Sequence, residues 1–122
     1  MQRVLIASDD EFARELIRLA LSGVEAEVRC CGCGAEVERL CGRVLFDLVI
    51  VLRTAPFFCG RGLIGRLRPD RLRRPVVYVV SWQQSEQTVL SLLECGVDQY
   101  LTFPVSLQRL RSKVVNELCG VR

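Results

Sequence analysis

The stretch Phe46–Leu52, which reads FDLVIVL, decides the fold. After Asp47 it is an unbroken aliphatic run with no alternating polar positions. Such a run is typical of a strand buried on both faces, which is the condition of a central strand in a parallel sheet. Shorter runs of the same kind occupy residues 4–7 and 76–80, so several buried strands are predicted along the chain.

Helix-compatible segments alternate with these apolar runs. Helices are predicted over 10–22, over 34–41, up to about residue 68, over 85–95 and over 106–118, and two further strands over 26–31 and 98–102. This alternation is typical of a parallel sheet with helices on both faces. We therefore expect a single α/β domain, residues 1–122, with five strands and five helices.

The composition excludes several classes of function. The chain has 122 residues, of which 50% are hydrophobic, and this suffices for one buried core. It has no apolar run long enough to span a membrane, and its seven cysteines are an odd number for a disulfide framework. It has no histidine, which removes the usual general base and the commonest metal ligand. We expect a cytoplasmic protein with reduced thiols, no membrane contact and no enzymatic activity.

Asp9 and Asp10 directly follow the first predicted strand. Open α/β sheets usually bind their ligands at the carboxyl ends of the strands, and two adjacent carboxylates there are suited to a hard cation such as Mg²⁺. Alternatively, one of the two caps the first helix and stabilises its positive end. These residues alone do not decide between the two interpretations.

Several motifs follow one another in the order and spacing of a known protein family: SDDE at 8–11, FDLVIVL at 46–52, Pro56, Gly60, PVVYVVS at 75–81 and GVDQYLTFP at 96–104. With them the whole chain resembles a response-regulator receiver domain. The resemblance implies a doubly wound, flavodoxin-like sheet with strand order 2-1-3-4-5. It also implies a site at which a kinase phosphohistidine donates its phosphoryl group to an aspartate at the end of strand three. There the acidic pair after strand one helps to hold Mg²⁺.

Two positions of that phosphorylation site are altered. The phosphoacceptor position is occupied by Leu52, and the position of the phosphate-binding lysine is occupied by Phe103. Leucine cannot accept a phosphoryl group, so the resemblance implies a degenerate, pseudo-receiver domain without catalytic residues or a cofactor. Only weak residual Mg²⁺ binding at Asp9 and Asp10 is expected. Arg53 is close enough in sequence to pair with these carboxylates in place of a metal.

Other parts of the receiver site are retained. Ser81 matches the hydroxyl residue that contacts the phosphoryl group, and Tyr100 matches the aromatic switch residue on strand five. The resemblance implies an output face formed by the fourth helix, strand five and the fifth helix. Arg109, Arg111 and Lys113 lie on the polar side of the last predicted helix. We expect this face to bind a protein partner or a second copy of the chain, with Tyr100 packing inward as the alternative.

The segment from Arg61 to Arg74 contains six arginines and a single acidic residue, Asp70. It gives an alternative function, a basic module that contacts nucleic acid. The segment lacks interleaved aromatic residues, which favours a solvated helix end and loop instead. A further alternative is that the chain is the N-terminal regulatory half of a DNA-binding transcription regulator.

Four cysteines lie close together in the sequence: Cys30, Cys31, Cys33 and Cys41. Cys30 and Cys31 are neighbours on a predicted strand and point to opposite faces. The spacing also lacks the paired C-x₂-C units of structural zinc sites, so no zinc site is expected here.

Overall fold

The computed structural model describes residues 2–52, 67, 75–82, 85–94, 96–103 and 106–120. The strands are β1 (Gln2–Ala7), β2 (Ala26–Cys31), β3 (Leu48–Leu52), β4 (Val76–Trp82) and β5 (Gln99–Phe103), and the helices are α1 (Glu11–Ala20), α2 (Gly34–Arg43), α3 (Glu86–Glu94) and α4 (Leu107–Leu118). Within these ranges, no helix is long and apolar enough to cross a membrane.

The five strands form one parallel sheet in the order β2-β1-β3-β4-β5. This confirms the predicted strand order and places the aliphatic run of β3 at the centre. The described residues contain four of the five predicted helices, and α3 corresponds to the fourth of them. The third predicted helix falls outside the described residues, apart from Leu67, which is helical and buried.

The side chains of β3 alternate between two apolar layers. Leu48, Ile50 and Leu52 pack with residues of α1 and α4, among them Ile17 and Leu110. Val49 and Val51 pack in the other layer, which includes Val37 of α2. Each fully buried side chain of this size contributes about 1.5–3 kcal/mol to stability. The sheet is therefore covered on both faces, as the apolar run predicts.

Two aspartates act in the same way at the amino-terminal edge of the sheet. Asp47 immediately precedes β3; its N–H donates to the Arg3 carbonyl at 2.9 Å, and its Oδ2 accepts from the Arg3 N–H at 2.8 Å. Asp98 immediately precedes β5 and makes the same pair of bonds with Val77, both at 2.9 Å. Each aspartate thus ties the start of one strand to its neighbour.

Candidate functional site

Three predicted site residues lie at the carboxyl-terminal edge of the sheet. Leu52 is the last residue of β3, Phe103 is the last residue of β5, and Ser81 is the penultimate residue of β4. Ser81 is buried. In the sheet register Leu52 pairs with Val80 and Ser81 pairs with Thr102. The fold therefore brings the ends of these three strands together.

The end of β3 is apolar and closed to solvent. Leu52 is only 2% exposed and belongs to the layer that packs against α1 and α4. Ser8 directly follows β1, whose last residue Ala7 pairs with Val51, so Ser8 is level with Leu52. Ser8 is 0% exposed. The sequence alone does not reveal this position of Ser8, because it follows only from the pairing of β1 with β3.

The two acidic residues after β1 have different environments. Asp10 is the N-cap of α1, and its Oδ1 accepts from the backbone N–H groups of Phe12 at 3.0 Å and Ala13 at 3.2 Å. This confirms for Asp10 the alternative that one of the pair caps the first helix. The Asp10 N–H in turn donates to Ser8 Oγ at 3.0 Å. Asp9 is exposed and precedes the cap.

A guanidinium group lies at the same edge of the sheet. Nη1 of Arg14, on α1, donates to the carbonyl oxygen of Ser8 at 3.0 Å. A Cβ added at Gly32 would lie 2.7 Å from this Nη1, so Gly32 leaves the space that the guanidinium occupies. Arg53, the cation predicted to pair with Asp9 and Asp10, lies outside the described residues. The sequence alone does not reveal this contact, since the reach of Arg14 to Ser8 depends on how α1 packs on the sheet.

The predicted output face contains more apolar surface than the sequence suggests. Leu90 and Leu93 of α3 are 51% and 42% exposed. Tyr100 of β5 is partly buried and packs against the layer that contains Val77 and Val79. The partial burial of Tyr100 therefore favours the alternative in which its side chain packs inward.

The three basic residues predicted for this face are separated by the fold. Arg109 is exposed near the start of α4. Arg111 reaches α1, where its Nη1 donates to the carbonyl oxygens of Ala20 and Ser22. Lys113 lines a cavity between α4 and the strands β4 and β5. They do not form one continuous charged rim.

Burial affects two thiols between Cys30 and Cys41 strongly. Burial raises the pKa of Cys31 to about 12 and the pKa of Cys41 to about 11, while Cys33 is exposed. Thiolates are the reactive and metal-binding form of cysteine. In the part of the chain that the structure describes, no group of three or more Cys, Asp or Glu residues is placed to hold a metal ion.

The sheet order, the helices on both faces and the polar groups at the carboxyl ends of the strands define a flavodoxin-like α/β protein. Residues 4–115 match the family described as Response regulator receiver domain. The chain belongs to this family.

Individual relatives agree with this assignment. The chain is 31% identical over 112 residues to Transcriptional regulatory protein PmrA of Pectobacterium parmentieri, covering 92% of this chain and 50% of that protein. It is 32% identical over 120 residues to Transcriptional activator protein PfeR of Pseudomonas aeruginosa, covering 98% of this chain and 39% of that protein. The chain thus spans half or less of these two relatives.

Solved structures share the fold. A CheY-like response regulator receiver domain protein from Methanospirillum hungatei superposes with a TM-score of 0.84 at 22% identity, covering 98% of this chain and 95% of that one.

Proposed function

We propose that this receiver domain is not phosphorylated at β3 and acts by protein–protein contact alone. The observation that carries the proposal is Leu52, which ends β3 with a hydrocarbon side chain that is 2% exposed. Phosphoryl transfer to a receiver requires a carboxylate oxygen at this position, and leucine has none. The domain is then a pseudo-receiver with a regulatory and not an enzymatic role.

The neighbours of Leu52 support the same proposal. The hydroxyl of Ser8 accepts a hydrogen bond from Asp10 N–H, and the Asp10 carboxylate caps α1. A divalent cation gains little from Asp10, because its Oδ1 already accepts from two backbone N–H groups of α1. Mg²⁺ sites in proteins depend on several oxygen ligands or on substrate phosphates. We infer that the domain needs no Mg²⁺.

The surface suited to the contact lies on α3, β5 and α4. Leu90 and Leu93 expose apolar surface on α3, and Leu107 exposes more at the start of α4. Arg109 adds an exposed cation on the same helix as Leu107. Apolar residues in the centre with charges around them are the usual composition of a specific interface. The occupant is a protein partner or a second copy of the chain, in the reducing cytoplasm where the thiols stay unpaired.

A second candidate function follows from the relatives. The two curated relatives described above are named as transcription regulators, and this chain covers half or less of each. The domain would then be the N-terminal regulatory half of a DNA-binding regulator. The other alternative, nucleic-acid contact by Arg61–Arg74, concerns a segment outside the described residues and has less support.

The experiment is incubation with acetyl phosphate and Mg²⁺, followed by intact-mass measurement and sedimentation velocity. A receiver domain with aspartate at the end of its third strand, treated in parallel, is the positive control. We expect the control to gain a phosphoryl group and this domain to keep both its mass and its sedimentation coefficient. A stoichiometric acyl phosphate on this domain, released by hydroxylamine, would contradict the proposal.

A further inference from the structure

Two cysteines flank a single glycine at the carboxyl end of β2. Cys31 is the last residue of the strand and is 3% exposed, whereas Cys33 is the exposed N-cap of α2. N-cap residues usually have side chains that accept hydrogen bonds from the first turn, but the Cys33 side chain forms no such bond. The Cys33 thiol therefore does not stabilise the helix, and it is open to solvent.

The course of the chain places the two thiols within reach of each other. The backbone of Cys33 is extended, with φ −147° and ψ 157°, and Cys31 ends a strand. Residues two apart in an extended chain lie about 6.5 Å apart and point to the same side. A disulfide requires Cα atoms about 4.4–6.8 Å apart, so a small contraction between the two cysteines suffices.

Gly32, between the two cysteines, allows this contraction. Glycine has the widest choice of backbone conformations. The position is also crowded, since a Cβ at Gly32 would lie 2.7 Å from Nη1 of Arg14. The same nitrogen of Arg14 donates to the Ser8 carbonyl, and the Cys31 carbonyl accepts from the Ser8 N–H at 3.1 Å. A change of the backbone at Gly32 therefore reaches both Arg14 and Ser8.

The difference in exposure assigns the order in which the two thiols react. Burial raises the pKa of the Cys31 thiol to about 12, and the thiolate is the reactive form of cysteine. Cys33, which is open to solvent, is therefore the thiol that attacks first. Cys31 is the resolving thiol: its attack is intramolecular, and the high effective concentration of such a neighbour offsets its small ionised fraction.

From this arrangement we infer that Cys31 and Cys33 are a modification site for small disulfides such as oxidised glutathione. The Cys33 thiolate attacks one sulfur of the small disulfide, a mixed disulfide forms, and one glutathione thiolate leaves. The Cys31 thiolate then attacks Sγ of Cys33, the internal disulfide forms, and the second glutathione thiolate leaves. In total two protein thiols are oxidised, one glutathione disulfide is reduced, and the two protons pass to the departing glutathione thiolates.

Pairing of the two cysteines gives the domain an input other than phosphorylation. In a reducing compartment they stay as thiols, and they pair when small disulfides accumulate. Pairing moves the N-cap of α2, whose carbonyl accepts from the Val37 N–H at 3.1 Å in the first turn of the helix. It also moves Gly32 relative to Arg14, which contacts Ser8 at the end of β1. This regulatory role rests on the proposed function, whereas the modification itself does not.

Incubation of the whole chain with oxidised glutathione, followed by alkylation of the remaining thiols and tryptic mass mapping, tests the site. Trypsin releases residues 30–39 as one peptide, which contains Cys30, Cys31 and Cys33. We expect this peptide to lose two hydrogen atoms and to carry one alkyl group, and a reductant added before alkylation should restore three alkyl groups. A peptide from the untreated-reductant sample that carries three alkyl groups, or glutathione without an internal disulfide, would overturn the inference.

Single variants identify the pair. In Cys33→Ser, an exposed change that should not affect folding, the internal disulfide should be absent. In Cys31→Ala the mixed disulfide should accumulate on Cys33, because the resolving thiol is missing. Cys30→Ser is the matched control, because Cys30 packs on the opposite face of the sheet from Cys31, and it should still form the disulfide. An internal disulfide in Cys33→Ser or Cys31→Ala, or its loss in Cys30→Ser, would assign the reaction to another pair and overturn the inference.

The regulatory part has a separate readout. Oxidised glutathione should change the amide chemical shifts of Ser8 and Arg14 and the self-association or partner binding of the wild-type chain, and it should change neither in Cys33→Ser. If the disulfide forms without any change in association, the regulatory role is wrong and the modification site stands. If no disulfide forms while Leu90 and Leu93 still control association, the proposed function stands without this site.

Discussion

Arg111 of α4 caps the C-terminal end of α1: its Nη1 donates to the carbonyl oxygen of Ala20 at 3.0 Å. The same nitrogen also donates to the carbonyl oxygen of Ser22. A cation at a helix C-terminus satisfies carbonyl groups that have no partner within the helix and interacts favourably with the helix dipole. Arg111 is thus a structural residue that fastens the first helix to the last.

Replacing this side chain should therefore destabilise the domain. We expect Arg111→Met to lower the free energy of unfolding by about 1–2 kcal/mol, because charge-assisted hydrogen bonds to a partly exposed helix end are lost. Urea unfolding followed by circular dichroism measures this change. Arg109→Met, at an exposed position of the same helix, is the control and should change stability little. Equal stability of the two variants would contradict the capping role.

A phosphoacceptor introduced at the end of β3 should react faster when its counter-charge is restored as well. Leu52→Asp supplies a carboxylate but leaves Phe103 in place, so we expect slow acyl-phosphate formation from acetyl phosphate. Leu52→Asp with Phe103→Lys should react faster, since the lysine offsets the charge of the phosphoryl group. Initial rates by intact mass with Mg²⁺ present measure the difference.

The matched control for this experiment is Leu52→Asn, which has similar size and polarity but no carboxylate. It should stay unmodified. Because Leu52 is buried in an apolar layer, all three variants should also be less stable than the wild type. Equal rates for the single and double Asp variants would refute the role assigned to Phe103.

Binding of a protein partner or of a second copy of the chain should depend on the exposed leucines of α3, Leu90 and Leu93. Leu90→Ser and Leu93→Ser each remove apolar surface from the output face, and we expect each to weaken association by about tenfold if the position is near the centre of the interface. Sedimentation velocity and partner pull-down measure the effect. Leu19→Ser is the control, because Leu19 of α1 is 66% exposed but lies elsewhere. Unchanged association in both α3 variants would place the interface on another surface.

Thiol reactivity should follow burial. At a pH of about 8, a disulfide reagent should modify Cys33 and Cys119, which are exposed, well before Cys31 and Cys41. Because the pKa of Cys41 is raised to about 11, its labelling rate should increase about tenfold per pH unit below that value. Peptide mapping by mass spectrometry identifies the modified residues. Equal labelling of Cys41 and Cys33 near neutral pH would contradict the buried position of Cys41.

The raised pKa values of Cys31 and Cys41 should make the folded domain less stable at alkaline pH. In the unfolded chain these thiols lose their protons near the ordinary pKa of 9.0, whereas in the folded chain Cys31 and Cys41 retain theirs to about 12 and about 11. Between those values the unfolded state binds fewer protons, so stability falls as pH rises. Below the ordinary thiol pKa these groups should make no pH-dependent contribution.

The architecture of the domain was largely predictable from the sequence, because it depends on patterns that are local in the chain. The aliphatic run of β3 indicates burial on both faces, and the structure places it at the centre of the sheet. The strand order came from the resemblance and not from the pattern. The helix boundaries depart from the prediction: the pattern starts the first helix at residue 10, but Asp10 is its cap.

The roles of long side chains could not be predicted in this way. Helical periodicity places Arg111 on the polar side of α4 but does not reveal that the end of α1 lies within its reach. Tyr78 lies within an apolar run, and only the packing of α4 on β4 gives its hydroxyl the partner Glu117. Ser8 becomes part of the site only through the pairing of β1 with β3. Each of these relationships joins residues that are distant in sequence.

The reciprocal bonds made by Asp47 and Asp98 have an evolutionary consequence. They fix the neighbouring strands at their amino-terminal ends, far from the phosphoryl chemistry of the family. Mutations at the carboxyl-terminal ends can then accumulate under relaxed selection without shifting the alignment of the strands. A lineage can lose its response to a kinase and keep an intact scaffold, on which a different input can later be selected.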